Sequence, residues 1–165
     1  MRQRFVLMRL IRRLPFLSDR RRLELFPPFW LMRIKVLELS HNWRVVRIRL
    51  PLTMVSRNMG CGMYGGFQAS LADPIPALAC GRVFRGYSVW TRSLKLDFQH
   101  EGNTDLEMRF RFEPELEQRI RRELEEKGRS TPTFEYGFYL EDGTLCTLVH
   151  NTVAIRPRGY KKPRK

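Results

Sequence analysis

The stretch from Asn58 to Cys80, NMGCGMYGGFQASLADPIPALAC, constrains the fold more than any other part of the chain. Gly60 and Gly62 lead to the pair Gly65-Gly66, and a run of small and apolar residues follows: Phe67, Ala69, Leu71, Ala72, Ile75, Ala77, Leu78, Ala79 and Cys80. Asp73 is the lone carboxylate within it. A helix that is apolar on nearly every side is a buried helix. An acid on such a helix is costly unless it is paired, hydrogen-bonded or put to use. Pro74 and Pro76 each remove a backbone donor and crowd the preceding turn, so a kink is expected just after Asp73.

The flanking segments read as strands able to wrap that helix. Arg33–Leu39 alternates polar and apolar residues, as does the second half of Trp43–Leu50, with Ser40-His41-Asn42 as a hairpin turn between them. Pro51 closes the second strand. Tyr87–Gln99 is β-prone, residues 100–104 make a turn, and Asp105–Phe112 alternates cleanly. Pro114 then opens a helix at its first position. Its stripe is Leu116, Ile120 and Leu124, its expected i,i+4 pairs are Glu115–Arg119 and Arg122–Glu126, and Gly128 ends it. Thr131–Glu141 and Thr144–Arg156 are two further strands joined at Asp142-Gly143. Ahead of the strands, residues 2–26 interleave arginines with a helical stripe of Leu7, Leu10, Ile11 and Leu14. A second short helix is expected from Ser18 or Asp19, ending before Pro27-Pro28. The pattern is an α+β fold, a long antiparallel sheet around a buried central helix, with an N-terminal helical segment and an inserted helix. The chain divides into a basic segment 1–29, one domain over 30–157 and a basic tail 158–165.

A length of 165 residues with 42% hydrophobic residues supports one domain with a real core. The formal charge of +14 favours polyanionic partners: a phosphate-bearing ligand, an acidic membrane surface or nucleic acid. No recognised nucleic-acid-binding motif accompanies the charge, so nucleic acid is the least favoured of these. The interfacial membrane reading belongs to the N-terminal stripe. Arginines interrupt that segment too often for a signal peptide, and no apolar run is long enough for a transmembrane helix. Cys61, Cys80 and Cys146 have no metal-ligand spacing and read as reduced thiols of a cytoplasmic protein. No P-loop, metal cluster or G-x-S-x-G elbow is present. No cofactor is expected. His41, His100 and His150 are scattered over turn and strand positions and read as structural or solvated.

Two features of the central stretch carry chemistry. Glycines ahead of a helix let a ligand approach the backbone closely. The first helical amides lack internal partners and sit at the positive end of the dipole, so they can hold an oxyanion. A tight entry turn is the structural alternative. Asp73 lies eight residues beyond Gly65, about 12 Å along a helix. The acid and the entry amides of one helix therefore cannot reach the same small carbonyl. Two antiparallel helices related by a twofold axis would bring Asp73 of one subunit to Gly65 of the other. The competing reading makes Asp73 the cap of a helix restarting at Pro74.

The pattern of Asn58, Gly65-Gly66 and Ser70-Leu71-Ala72-Asp73 resembles the hot-dog-fold acyl-CoA thioesterases, in particular the phenylacetate-pathway type. The likeness covers residues 30–156, including the strand order. It implies a sheet wrapped around the central helix, with Asp73 as nucleophile or general base on the thioester. It also implies that the Gly65 and Gly66 amides polarise the carbonyl, and that Asn58 orients water or substrate. Tyr64 and Gln68, on either side of the glycine pair, are the expected substrate-binding side chains. Three departures stand out. Tyr64 replaces the histidine many relatives place before the glycine pair, and a tyrosine is a poor base near neutral pH. Gln99-His100 stands where relatives place Arg-Pro. The helix over 114–127 is not part of the basic plan.

The expected function is hydrolysis of an acyl-CoA or acyl-carrier thioester in a homodimer or dimer of dimers, with CoA entering only as part of the substrate. The alternative is a catalytically inactive hot-dog domain that binds acyl-CoA or a protein partner, a reading favoured by Tyr64.

Overall fold

Among the described residues six strands form one antiparallel sheet whose spatial order is β1-β2-β4-β5-β6-β3. They are β1 (Lys35–Leu39), β2 (Val45–Leu50), β3 (Tyr87–Phe98), β4 (Leu106–Arg111), β5 (Thr133–Tyr139) and β6 (Leu145–Pro157). The computed structural model describes residues 17–160. The stripe of residues 2–14, with the membrane contact expected of it, and the last five residues lie outside the described residues.

The strands follow the alternation in the sequence. In β2, Val46, Ile48 and Leu50 are buried while Arg47 and Arg49 are exposed; in β4, Leu106, Met108 and Phe110 are buried. One face of the sheet thus presents a continuous apolar surface. The central helix lies on it in two segments, α3 (Gly65–Ala72) and α4 (Pro74–Val83). Leu71, Ala72, Ile75, Ala79 and Cys80 are fully buried against the sheet. The break falls at Asp73, where the sequence places the kink, with Pro74 opening the second segment.

The helix is not buried all round. Ala69 and Ala77 are only half-covered, and Ser70 and Asp73 are exposed. With half-covered Gly66, these positions fall at i, i+3, i+4, i+7 and i+11, one stripe down the helix. Strand β3 is the other open feature. It pairs with β6 on one side, and its opposite edge has no strand partner among the described residues.

The other elements match the sequence in kind and differ in detail. Ser18 caps α1 (Asp19–Glu24), its side chain accepting from the Arg21 amide. Pro27-Pro28 ends α1 as expected, but it also starts α2 (Pro27–Leu31), because proline costs nothing at the first helical positions. The expected hairpin turn at 40–42 is a 3-10 turn over His41–Trp43, with Asn42 and Trp43 in the left-handed region, so β2 starts two residues late at Val45. The inserted helix, α5 (Pro114–Lys127), ends at Gly128 in the left-handed conformation. It buries Glu117 beside Ile120 and Leu124. The ion pairs it forms are Glu117 with Arg121 and with Arg44 of the turn before β2, not the pairs expected from spacing.

Candidate active site

The loop from Pro51 to Tyr64 delivers the glycine pair to the sheet. Ser56 is buried, and its hydroxyl donates to the Pro51 carbonyl at 2.7 Å. Asn58 folds the next turn on itself: its Oδ1 accepts from the Gly60 and Gly62 amides at 2.9 and 3.1 Å. The Tyr64 amide donates to the Ser56 carbonyl at 2.7 Å, and the Met63 amide to the Gly102 carbonyl at 2.8 Å. The chain therefore enters α3 in a fixed direction. Tyr64 is the N-cap residue with no side-chain cap bond. The amides of Gly65 and Gly66 make no hydrogen bond among the described residues, so two donors at the positive end of the helix are open.

Both glycines also have a steric reason to be there. A Cβ at Gly65 would stand 2.8 Å from the Phe98 ring, and one at Gly66 would stand 2.4 Å from the Tyr64 ring. Phe98 and Tyr64 are half-exposed aromatic walls on either side of the open amides. Asn58, Gly65 and Gln68 line one pocket of about 290 Å³ together with Phe98. Gln68 is buried, and its Oε1 accepts from Thr147 Oγ1 at 2.6 Å. Tyr64 and Gly66 flank this pocket without lining it, and Asp73 is not part of it.

Asp73 sits a turn and more away, on the open stripe. It is helical at φ −46°, ψ −55°, and its amide donates to the Ala69 carbonyl at 2.9 Å. The second segment restarts at Pro74 with Asp73 already in the helical region, and the Asp73 carboxylate makes no cap bond. The capping reading of Asp73 is thereby corrected.

The backbone beneath Asp73 is held from the sheet. Pro76 cannot donate to the Ala72 carbonyl, its i−4 partner in a regular helix. The Tyr136 hydroxyl takes that place at 2.7 Å. The Asp73 carbonyl accepts from Thr91 Oγ1 at 2.8 Å and from Asn151 Nδ2 at 3.0 Å. Burial pushes the Tyr136 phenol up; the Asn151 hydrogen bond opposes this and the Asp73 charge adds to it. The phenol therefore stays a donor. Sequence reasoning did not single out Thr91, Tyr136, Thr147 or Asn151. The available signal was alternation: Thr147 and Asn151 are polar residues on the helix-facing side of β6, which they share with buried Val149 and Val153.

The open stripe puts the Gly65/Gly66 amides and the Asp73 carboxylate on one surface, separated by eight residues, or about 12 Å. Among the described residues, no group of three or more His, Cys, Asp or Glu is arranged to hold a metal, and no helix is long and apolar enough to cross a membrane.

No family model matches the chain, and no curated protein matches it. Solved structures do. A Pseudomonas aeruginosa protein of unknown function, described as a probable thioesterase, superposes with a TM-score of 0.74 at 19% identity, over 84% of this chain and 93% of that one. A thioesterase from Haemophilus influenzae matches with a TM-score of 0.59 at 12% identity, over 81% and 85%. A variant of the phenylacetic acid degradation protein PaaI from Thermus thermophilus matches with a TM-score of 0.55 at 22% identity, over 78% and 97%. At these identities the likeness establishes architecture. The chain has the hot-dog fold, and its structural neighbours include thioesterases.

Proposed function

We propose that the protein hydrolyses acyl thioesters at a site shared between two copies of the chain. The carrying observation is the open stripe of the central helix, which holds two unspent amides and one carboxylate about 12 Å apart. A second copy packed antiparallel along the stripe from Gly66 to Asp73 would cover that part, short of Ala77, and bring Asp73 of one copy to the amides of the other. The edge of β3 that has no strand partner among the described residues supports the same assembly, because a twelve-residue edge is a template for pairing with its own copy.

In this reading Asp73 takes a proton from water as the hydroxide adds to the thioester carbonyl. The Gly65 and Gly66 amides of the other copy hold the resulting oxyanion. The C–S bond then breaks, the carbonyl re-forms as a carboxylic acid, and the leaving thiolate takes the proton held by Asp73, which restores the base. The Asn58 oxygen is spent on its own loop and its Nδ2 donates to the Met63 carbonyl at 3.5 Å, so the second Nδ2 proton is the one left to water or substrate. Gln68, fixed by Thr147, and Tyr64 contact the substrate beside the carbonyl. The substrate is a CoA or carrier-protein thioester, whose phosphates suit a chain of charge +14.

Subunit complementation tests the shared site. Gly65 is the first residue of α3 and Tyr64 before it is extended, so the backbone accepts Gly65→Pro, which deletes one amide while its Cβ pushes the half-exposed Phe98 ring aside. Asp73→Asn removes the base. Each variant alone should lose at least about 100-fold in turnover. Mixed and reassociated, the two give heterodimers with one intact site, and activity should return. A mixture that forms heterodimers yet stays as inactive as its parts would refute the shared site, as would a monomeric active wild type. A wild type inactive on a broad thioester panel would favour the binding-domain reading, to which the exposed Tyr64 in place of a histidine points.

A further inference from the structure

The second half of the central helix borders a cavity of about 620 Å³, within the range of small-molecule sites. Its floor is Pro74, Ala77 and Gly81 of α4, and its roof is Leu23, Phe26 and Phe29 of the α1–α2 pair. Three observations tie it to the site above. First, it begins at Pro74, the residue after Asp73. Asp73, Ala77 and Gly81 fall at i, i+4 and i+8, so the carboxylate and the floor share one helix face. Second, the floor is made of small residues with room above them: a Cβ at Gly81 would meet nothing within 4 Å. Third, the polar groups at the far end are spent on each other. Asp19 is 2.7 Å from Arg82 and accepts from Trp43 Nε1 at 3.3 Å, and the Arg82 guanidinium lies over the Trp43 ring. Arg22 lines the same end and is paired with Asp19 at 3.4 Å, so the lining between there and Pro74 is mainly apolar and suits a chain without a polar terminus.

We propose that this cavity is the acyl pocket and takes a saturated, unbranched chain of medium length. The proposal rests on the thioester reading of Asp73 given above. From Asp73 to Gly81 the helix rises about 12 Å. With C–C bonds of about 1.5 Å set zigzag, that length holds about eight to ten carbons. The roof comes from α1 and α2, ahead of the span where the sequence resembles the hot-dog thioesterases, and it sets the chain-length limit.

The test is binding of decanoyl-CoA and acetyl-CoA, measured by calorimetry on the Asp73→Asn protein, in which no turnover interferes. Adding Gly81→Leu fills the open space over the floor and replaces a helical glycine with a better helix former, so the fold is retained. Ala77→Leu, one turn away on the same face, is the second plug. Each plug should weaken decanoyl-CoA by at least about tenfold, the loss of about two buried methylenes, and leave acetyl-CoA unchanged. Equal affinity for both thioesters, insensitive to either plug, would overturn the pocket; so would plugs that shift the oligomeric state instead, as expected if a second copy or the chain's own N-terminal residues fill the space. Decanoyl-CoA that binds and is displaced by the plugs, while the wild type hydrolyses nothing, would uphold the pocket and overturn the thioesterase reading alone.

Discussion

The two faces of the central helix differ in what becomes of their polar groups. On the sheet side each one named above is answered. Gln68 has Thr147, the Ala72 carbonyl has Tyr136, and the Asp73 carbonyl has Thr91 and Asn151. On the open side the Gly65 and Gly66 amides and the Asp73 carboxylate have no such partners among the described residues. Buried polar groups cost free energy unless bonded, so the sheet side is arranged for stability. The open side keeps its donors and its acid unspent, which a catalytic or binding surface requires. The same helix thus separates holding from doing by about half a turn.

The sharpest way to break that contrast is to exchange the expected effects. Asp73→Asn, on the open side, should cut thioester turnover at least about 100-fold and leave the melting temperature unchanged. A fall in melting temperature of several degrees would show that the carboxylate holds structure after all. Tyr136→Phe, on the sheet side, should do the reverse. It strips the Ala72 carbonyl of its close donor and should cost about 1–2 kcal/mol in denaturant unfolding, with turnover reduced far less than in Asp73→Asn. A collapse of activity at unchanged stability would place the phenol in the chemistry.

A similar expected loss, away from both faces, is at Glu117. The Arg44 hydrogen bonds hold its carboxyl below the ordinary carboxylate range; partial burial opposes them and Arg121 assists. A carboxyl lowered on folding adds stability above its unfolded value and loses it as the pH falls through the folded one. Glu117→Gln should therefore cost about 1–2 kcal/mol near neutral pH, a buried-pair loss discounted for the exposure of both arginines. The difference from wild type should shrink in acid. A gap constant down to the lowest measurable pH would mean that the charge on Glu117 is not what anchors α5.

The sequence made the open side legible and the sheet side almost illegible. The spacing of Asn58, Gly65 and Asp73 lies within one short stretch, and the helix rise turns it into a distance without any fold. The clamps come from β3, β5 and β6, and nothing local pairs Tyr136 with a carbonyl 64 positions earlier. Pattern reasoning also expected the helix to be buried all round. Small apolar residues read the same whether their own chain or another copy covers them, so Ala69 and Ala77 could not announce that this face is open. Pro27-Pro28 misled in one direction only, because proline ends a helix and equally begins one.

The proline-freed carbonyl at Ala72 has an evolutionary corollary. Pro76 and Tyr136 should behave as one epistatic unit, although sixty positions separate them in the chain. Neither is easily changed first: the phenol is needed because the proline withholds a donor, and the proline is tolerable because the phenol supplies one. Replacing Pro76 with alanine restores a backbone donor to Ala72, after which Tyr136→Phe should be much cheaper. A double-mutant cycle should show a coupling of about 1 kcal/mol. Drift at either site would then depend on what occupies the other, and strictly additive effects would dissolve the pair.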